Sequence, residues 1–284
     1  MSRIAYVNGA YLPIAYATVH IEDRGNQFSD GAYEGITVYD GKIIDLVPHL
    51  ARLRRSLSEL RISAPMGDAA LTQVIKEVVR RNRTNSAMIY MQVSRGAAKR
   101  DHAFPENIKP SLIITCRRLD FAAINARVKS GVKASSQPDT RWSRCDIKSI
   151  SLLPNILAKQ AAREKGSFEA ILVDSDGFIT EGSSTNVWIV TPEGTLVTRS
   201  TDDNILPGIT RSAIIRLARD MQMPIEERAF TVQEAKGASE MFLTSSSCCA
   251  QPIIAFDDAP IGDGKPGPTV KRLVEQYRIF MDAQ

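Results

Sequence analysis

The chain has 284 residues, enough for two domains of ordinary size or one large one, and its 43% hydrophobic and 24% charged residues suit a folded globular protein. With 36 basic against 32 acidic side chains the balance is only +4, which gives no reason to expect a nucleic-acid partner. No apolar run approaches the roughly 20 residues that span a bilayer, and the opening MSRIAYVNGAYLP lacks the pattern of a signal peptide, so neither a membrane nor secretion is expected.

Strands open the chain. Ile4–Val7 runs into Asn8-Gly9 and then Ala10–Leu12, and Ile36–Tyr39 runs into Asp40-Gly41 and then Lys42–Ile44, two hairpin signals. A helix follows with Pro48 in its first turn and Leu46, Leu50, Leu53, Leu57 and Leu60 on one face. A second helix, with Asp68 as its expected cap, buries Leu71, Val74, Ile75, Val78 and Val79. Two more strands, Ala87–Val93 and Leu112–Thr115, flank the polar loop RGAAKRDHAFPENIKP. Periodicity fades from about Asp120 to Gly131, which predicts a small α/β domain over 1–119, a linker over 120–131 and a larger domain over 132–284. In that larger part a helix over Asn155–Lys165 stops at Gly166. Hairpins are expected over Glu169–Thr180 and Asn186–Thr198, with a helix after Gly208. A buried strand over Glu240–Thr244, a turn near Asp257-Asp258 and a helix from Thr269 complete the pattern. Hairpins with single helices predict the α+β class.

The four cysteines (Cys116, Cys145, Cys248, Cys249) have no metal-ligand spacing, and only three histidines are present, so no metal site is expected. Free thiols fit a reducing cytoplasm.

Lys148, in RWSRCDIKSISLLPN, reads in isolation as a surface ammonium; its alternative is a Schiff-base lysine. Thr180-Glu181-Gly182-Ser183-Ser184 lies between strands, as a plain turn would. Gly208-Ile209-Thr210 opens a helix and could hold an anion on its N–H groups, although an ordinary helix start looks the same. Ser245-Ser246-Ser247 ends a strand, and Arg52 lies on the first helix. Each alone suits a bland reading. Together they contain an amine nucleophile, a carboxylate and the parts of a phosphate cup.

These stretches resemble the fold-type IV pyridoxal phosphate enzymes, and within them the D-amino-acid transaminases. FSDGAYEGITVYDGK, RWSRCDIKSISLLPNILAKQAAREKG, EAILVDSDGFITEGSSTNVW, ILPGITR and LTSSS carry the likeness, and VSRGAAKRDHAFPEN is similar to the D-amino-acid branch in particular. The resemblance implies a two-domain α+β fold and pyridoxal 5′-phosphate as cofactor. It implies that Lys148 binds the cofactor covalently and moves the substrate's Cα proton, and that Glu181 faces the ring nitrogen. Arg52, Ile209, Thr210, Ser245 and Ser246 are implied to hold the phosphate, with Leu206 under the ring. Tyr33, Arg100 and His102 are implied to trap the substrate carboxylate, the latter two from the other subunit of a homodimer. Cys248-Cys249-Ala250 and Pro207 depart from the family pattern beside the phosphate residues.

The activity implied is transfer of an amino group from a D-amino acid to a 2-oxo acid. On the same scaffold a branched-chain L-amino-acid transaminase, an (R)-amine transaminase and an aminodeoxychorismate lyase stay open, as does a binding protein in which Lys148 is ordinary. The sequence leaves the preferred donor side chain open among D-alanine, D-glutamate and D-aspartate.

Overall fold

Two tight turns set the register of the first sheet. In the computed structural model, which describes residues 3–202 and 204–284, Asn8, Gly9, Asp40 and Gly41 have φ of 46°, 104°, 46° and 78°. Positive φ at both central residues is what a type I′ hairpin turn needs, and Asn, Asp and Gly adopt it most readily. The turns join β1 (Ile4–Val7) to β2 (Ala10–Pro13) and β3 (Gly31–Tyr39) to β4 (Lys42–Ile43). With β5 (Ala87–Ser94) and β6 (Ser111–Arg118) they make a six-stranded antiparallel sheet in the order β2-β1-β6-β5-β3-β4.

Alternate residues of these strands are buried: Ala32, Ile36 and Val38; Ile89, Met91 and Val93; Leu112, Ile114 and Cys116. They share one core with Leu50, Leu53 and Leu57 of α2 (Leu46–Glu59) and Leu71, Ile75 and Val78 of α3 (Asp68–Asn82), while a short α1 (Arg24–Phe28) precedes β3. Truncating one such residue, as in Leu53→Ala, costs about 2–5 kcal/mol. Asp68 is not the cap of α3. Gly67 holds that position, and Asp68 begins the helix and pairs with Arg54 on the surface.

Contacts divide the chain into two units. One is the chain up to Leu119 together with Ile147–Ser151 and Gln284; the other is Asp120–Asp146 with Leu152–Ala283. Residues 120–131 are therefore not a linker but α4 (Phe121–Ser130), capped by the Asp120 side chain, which accepts from the Ala123 N–H at 3.0 Å. Only Ile124 of this helix is buried, so its apolar periodicity is faint. Lys148, expected in the C-terminal domain, packs with the first unit.

The second unit continues with β7 (Val132–Pro138), α5 (Leu153–Glu164), β8 (Glu169–Val173), β9 (Ile179–Gly182), β10 (Asn186–Val190) and β11 (Leu196–Thr198). Then come α6 (Ile209–Asp220), β12 (Ile225–Glu227), α7 (Val232–Lys236), β13 (Glu240–Ser245), β14 (Cys249–Phe256), β15 (Ala259–Pro260) and α8 (Pro268–Asp282). Its nine strands form one sheet, β12-β11-β10-β13-β14-β7-β8-β9, with β15 on β14. The expected hairpins are present. Two parallel crossovers, β7-α5-β8 and β11-α6-β12, are not legible in the sequence. β7 reads VKASSQP, small and polar, and β12 has only three residues, too short for a periodic signal. The class is α+β, with mixed pairing in this sheet. In its core Trp188 stacks on Phe242 at 5.4 Å and donates its Nε1–H to Thr244 Oγ1 at 3.0 Å. Among the described residues no helix is long and apolar enough to cross a membrane.

Candidate active site

In the first unit the lysine segment is hydrogen-bonded to the start of β3. The Tyr33 N–H donates to the Lys148 carbonyl at 3.0 Å, the Ile150 N–H to the Gly31 carbonyl at 3.1 Å, and the Lys148 N–H to Ser56 Oγ at 3.2 Å. Gly31 permits this approach, because a Cβ there would meet the Val93 carbonyl oxygen at 2.6 Å and Ile150 Cδ1 at 3.1 Å. Lys148 is half-buried, and its Nζ lies 4.2 Å from the centroid of the Tyr33 ring. Tyr33 in turn packs on Tyr90 at 5.6 Å, and the Tyr90 hydroxyl donates to Gln92 Oε1 at 2.6 Å.

The next residue along β3 points to the opposite face, where it meets α2. Glu34 is fully buried. Its Oε1 accepts from Arg52 Nε at 2.8 Å, its Oε2 accepts from Arg52 Nη2 at 2.8 Å, and Oε2 also lies 2.7 Å from His49 Nδ1. Burial alone would raise the Glu34 pKa, but the Arg52 charge and the hydrogen bonds from Arg52 and His49 outweigh it and hold the carboxyl at about 2. Arg52, expected at a phosphate, is thus oriented by a carboxylate that the sequence reading did not single out. The signal was available: a glutamate on the inward face of β3, between Ala32 and Ile36, needs a partner, and His49 and Arg52 lie three apart on the buried face of α2.

Arg100 and His102 are exposed and both rest on one ring. The Arg100 guanidinium carbon is 4.5 Å from the Phe28 centroid, and the His102 and Phe28 centroids are 5.5 Å apart. The structure brings these two predicted residues together and packs Tyr33 on Tyr90 instead.

The second unit holds the carboxylate. Glu181, at the end of β9, accepts from Arg141 Nη1 on one oxygen, and on the other from Asn186 Nδ2 at 3.0 Å and the Leu206 N–H at 3.1 Å. Arg141 is shared with a second acid: Asp139 accepts from its Nε at 2.9 Å and its Nη2 at 2.7 Å, and from the Thr180 hydroxyl at 2.7 Å. Burial opposes the Asp139 charge, yet the Arg141 bonds keep its pKa below the ordinary value. Burial also works against the Arg141 cation, and the two carboxylates raise its pKa regardless. One arginine is thus shared by two carboxylates, the buried Glu181 and the partly buried Asp139.

Asn186 also donates to the Leu206 carbonyl at 2.9 Å, so Leu206 is tied to this cluster at both backbone groups. Two residues on, a Cβ at Gly208 would meet Asn186 Oδ1 at 2.0 Å, so only glycine fits. Gly208 is the N-cap of α6 and supplies no side-chain cap, and Ile209 and Thr210 form the first turn. Their N–H groups carry the positive end of the helix dipole. Ser245 ends β13, with its hydroxyl 3.1 Å from Ser247 Oγ and 3.0 Å from Cys248 Sγ, and Ser246 beside it is half-buried. Burial pushes the thiols of Cys248 and Cys249 up to about 11 and about 12, which keeps them protonated.

The profile of the amino-transferase class IV family matches residues 31–256, a span that includes Lys148, Glu181 and the start of α6. The chain belongs to the class IV aminotransferases. They are pyridoxal phosphate enzymes. Similar proteins include the D-alanine aminotransferase of Bacillus licheniformis, 38% identical over 94% of this chain and 93% of that protein. The D-alanine aminotransferase of Staphylococcus haemolyticus is 35% identical over 98% of both chains. Among solved structures, the branched-chain amino acid aminotransferase from Escherichia coli superposes with a TM-score of 0.88 at 25% identity, over 98% of this chain and 93% of that one. The branched-chain aminotransferase of the archaeon Thermoproteus uzoniensis, solved with norvaline, superposes with a TM-score of 0.87 at 26% identity, over 99% of this chain and 95% of that one.

Each unit holds groups that suit the family's cofactor. The first has a half-buried primary amine; the second has a carboxylate suited to a protonated ring nitrogen and a helix start without a side-chain cap suited to a phosphate. The residues missed in the sequence are those that orient others: Arg141, Asp139, Asn186, Glu34 and His49.

Proposed function

We propose that this aminotransferase takes its amino group from D-amino acids such as D-alanine and passes it to a 2-oxo acid. What carries this reading is the full-length similarity to D-alanine aminotransferases, at 35–38% identity in those described, against 25–26% for the branched-chain structures. The loop that bears Arg100 and His102 adds to it, because a guanidinium matches a carboxylate with two parallel hydrogen bonds.

Bound pyridoxal phosphate supplies a carbonyl for the amine and a protonated ring that draws electrons from the Cα–H bond. In this reading Lys148 Nζ attaches the cofactor and then carries the proton to and from the substrate Cα. Glu181, held by Arg141, Asn186 and the Leu206 N–H, keeps the ring nitrogen protonated. The first turn of α6 at Ile209 and Thr210, Ser245, Ser246 and the Glu34-oriented Arg52 take the phosphate, and Leu206 underlies the ring. Tyr33, Arg100 and His102 take the substrate carboxylate.

The working form in this reading is a cytoplasmic homodimer. Leu153, Ile156 and Leu157 on one side of α5 are 65%, 59% and 62% exposed, a ridge that a second copy would cover. Light scattering that gives a monomer mass at working concentration removes this part of the proposal. The substrate claim is tested with paired D- and L-amino acids, using 2-oxoglutarate and pyruvate as acceptors. Turnover of D-alanine with neither L-leucine nor L-valine accepted is expected. Preference for L-leucine transfers the protein to the branched-chain reading, and pyruvate release without an acceptor to the lyase reading.

A further inference from the structure

The loop carrying Arg100 and His102 is polar and exposed, and such loops are ordinarily mobile. Here it is fastened to α1. That helix is a single turn, fixed at its start by Asp23, whose Oδ1 accepts from the Gly25 N–H at 2.9 Å. The Arg24 N–H donates to the Gly96 carbonyl at 2.9 Å, and the Ala98 N–H to the Glu22 carbonyl at 3.3 Å, so the loop's entry runs beside α1. The Arg24 side chain is buried. Its Nε donates to Asp30 Oδ2 at 2.8 Å, its Nη1 to the carbonyls of Asp101 at 2.5 Å and Ala103 at 3.3 Å, and its Nη2 to that of His102 at 3.4 Å. One guanidinium thus holds three successive carbonyls, a task for a planar fork of five donors and beyond a single ammonium.

Phe28, one turn along, forms the platform. The Arg24 guanidinium carbon is 4.7 Å and that of Arg100 is 4.5 Å from its centroid, and the His102 ring tilts against it at 48°. Asp30 couples this arrangement to a second arginine. Arg95 donates to Asp30 through Nε at 2.7 Å and Nη2 at 2.9 Å, to the Leu60 and Arg61 carbonyls at 2.8 Å each, and lies 3.6 Å from the Phe104 centroid. The backbone is held from below by Arg24, and the two side chains share one aromatic face.

We propose that Arg24 and Phe28 are positioning residues for substrate selection: they pre-order the 100–103 segment so that Arg100 and His102 meet a carboxylate already aligned. The proposal rests on the reading of Arg100 and His102 as the carboxylate trap. A residue that orders a trap lowers the cost of closing it on the ligand, so its loss raises KM for substrates with a carboxylate and leaves kcat nearly as it was. A residue that merely supports the fold lowers both, for every substrate.

The test uses the holoenzyme and four variants: Arg24→Met, Phe28→Leu, Arg100→Ala and Arg24→Met with Arg100→Ala. Each is measured with D-alanine and with an (R)-amine lacking a carboxylate. Arg24→Met is expected to raise KM for D-alanine about 10-fold, the order of ordering losses on binding, with kcat and the amine little changed. Phe28→Leu should do the same more weakly, and it decides the question if Arg24→Met does not fold. The double variant should lose clearly less than the product of the two single losses, since Arg24 acts in part through Arg100. Amide hydrogen exchange should quicken over residues 99–104 and stay unchanged in β3 and β5. Independent, multiplying effects of Arg24→Met and Arg100→Ala, or equal losses for both substrates, overturn the proposal. If Arg100→Ala raises KM and neither α1 variant does, this proposal alone falls; if Arg100→Ala leaves KM unchanged, the trap and this proposal fall together.

Discussion

Two largely buried clusters, one in each unit, pair arginine with carboxylate in different proportion: one to one beside a histidine in the first, one arginine to two carboxylates in the second. In the first, Glu34 holds Arg52 with both carboxylate oxygens and also meets His49, so the carboxylate fixes the direction of the arginine. In the second, Arg141 is shared between Asp139 and Glu181, and Asn186 and the Leu206 N–H also hold Glu181. In the proposed function the first cluster orients the arginine that meets a phosphate. In the same proposal the second orients the carboxylate that meets the pyridinium. Stability does not explain the clusters: a buried ion pair is about as stable as a well-packed apolar replacement, whereas breaking one costs about 3–5 kcal/mol.

The largest expected effect lies outside both clusters. Lys148→Ala should abolish transamination with both clusters intact: general acid–base work alone is commonly worth about 10²–10⁴-fold, and loss of the covalent attachment adds to it. Single-turnover kinetics with D-alanine check this. Near-normal turnover in the variant would remove Lys148 from the chemistry.

Glu181→Gln is the sharpest break of the comparison, because it makes the second cluster one acid to one arginine, like Glu34 with Arg52. Removing a preorganised charge of this kind costs about 10²–10³-fold in rate. The loss should appear as slower Cα-proton abstraction and a larger deuterium isotope effect, with the cofactor still bound. A variant that loses the cofactor but reacts normally once reconstituted would make Glu181 structural.

Arg100→Ala leaves both clusters untouched and probes the trap. Losing a charge-assisted hydrogen bond costs about 1.5–3 kcal/mol, which corresponds to a KM for D-alanine raised by roughly 10–150-fold. An equal fall in kcat/KM for a carboxylate-free (R)-amine would contradict the assignment.

The smallest effect is on stability and belongs to the first cluster. The Glu34 pKa falls from 4.5 to about 2 on folding. A depressed carboxyl contributes stability that is fully present above pH 4.5 and is lost as pH falls through about 2. A shift of this size corresponds to about 3 kcal/mol. Urea melts of the parent from pH 6 to pH 2.5 should show that loss, and Glu34→Gln should be less stable at pH 6 with a shallower acid slope. An unchanged slope in the variant would mean that another carboxylate governs the acid limb.

What was legible in the sequence follows the physics of each signal. Asn8-Gly9, Asp40-Gly41 and the leucine face of α2 are local signals and appear where expected. Lys148, Glu181 and Thr210 could be singled out as candidates because they sit in short motifs, and their roles stay part of the proposed function. Their supports were not: Arg141 reaches Glu181 across 40 residues, and Asn186 matters through a glycine 22 positions away. Partnerships of this kind exist only after folding. The crossover strands β7 and β12 were hidden because one is small and polar and the other has three residues. Assigning 120–131 to a linker failed because a helix that buries one side chain leaves almost no periodic trace.

The central claim is that Lys148, among all the lysines of this chain, carries the cofactor. The holoenzyme is reduced with borohydride, digested and mapped by mass spectrometry. The account predicts the reduced phosphopyridoxyl group on the peptide containing Lys148, and its disappearance when the enzyme is first converted with excess D-alanine. Modification at a different lysine, or none at all in a protein that turns over D-alanine, would contradict it.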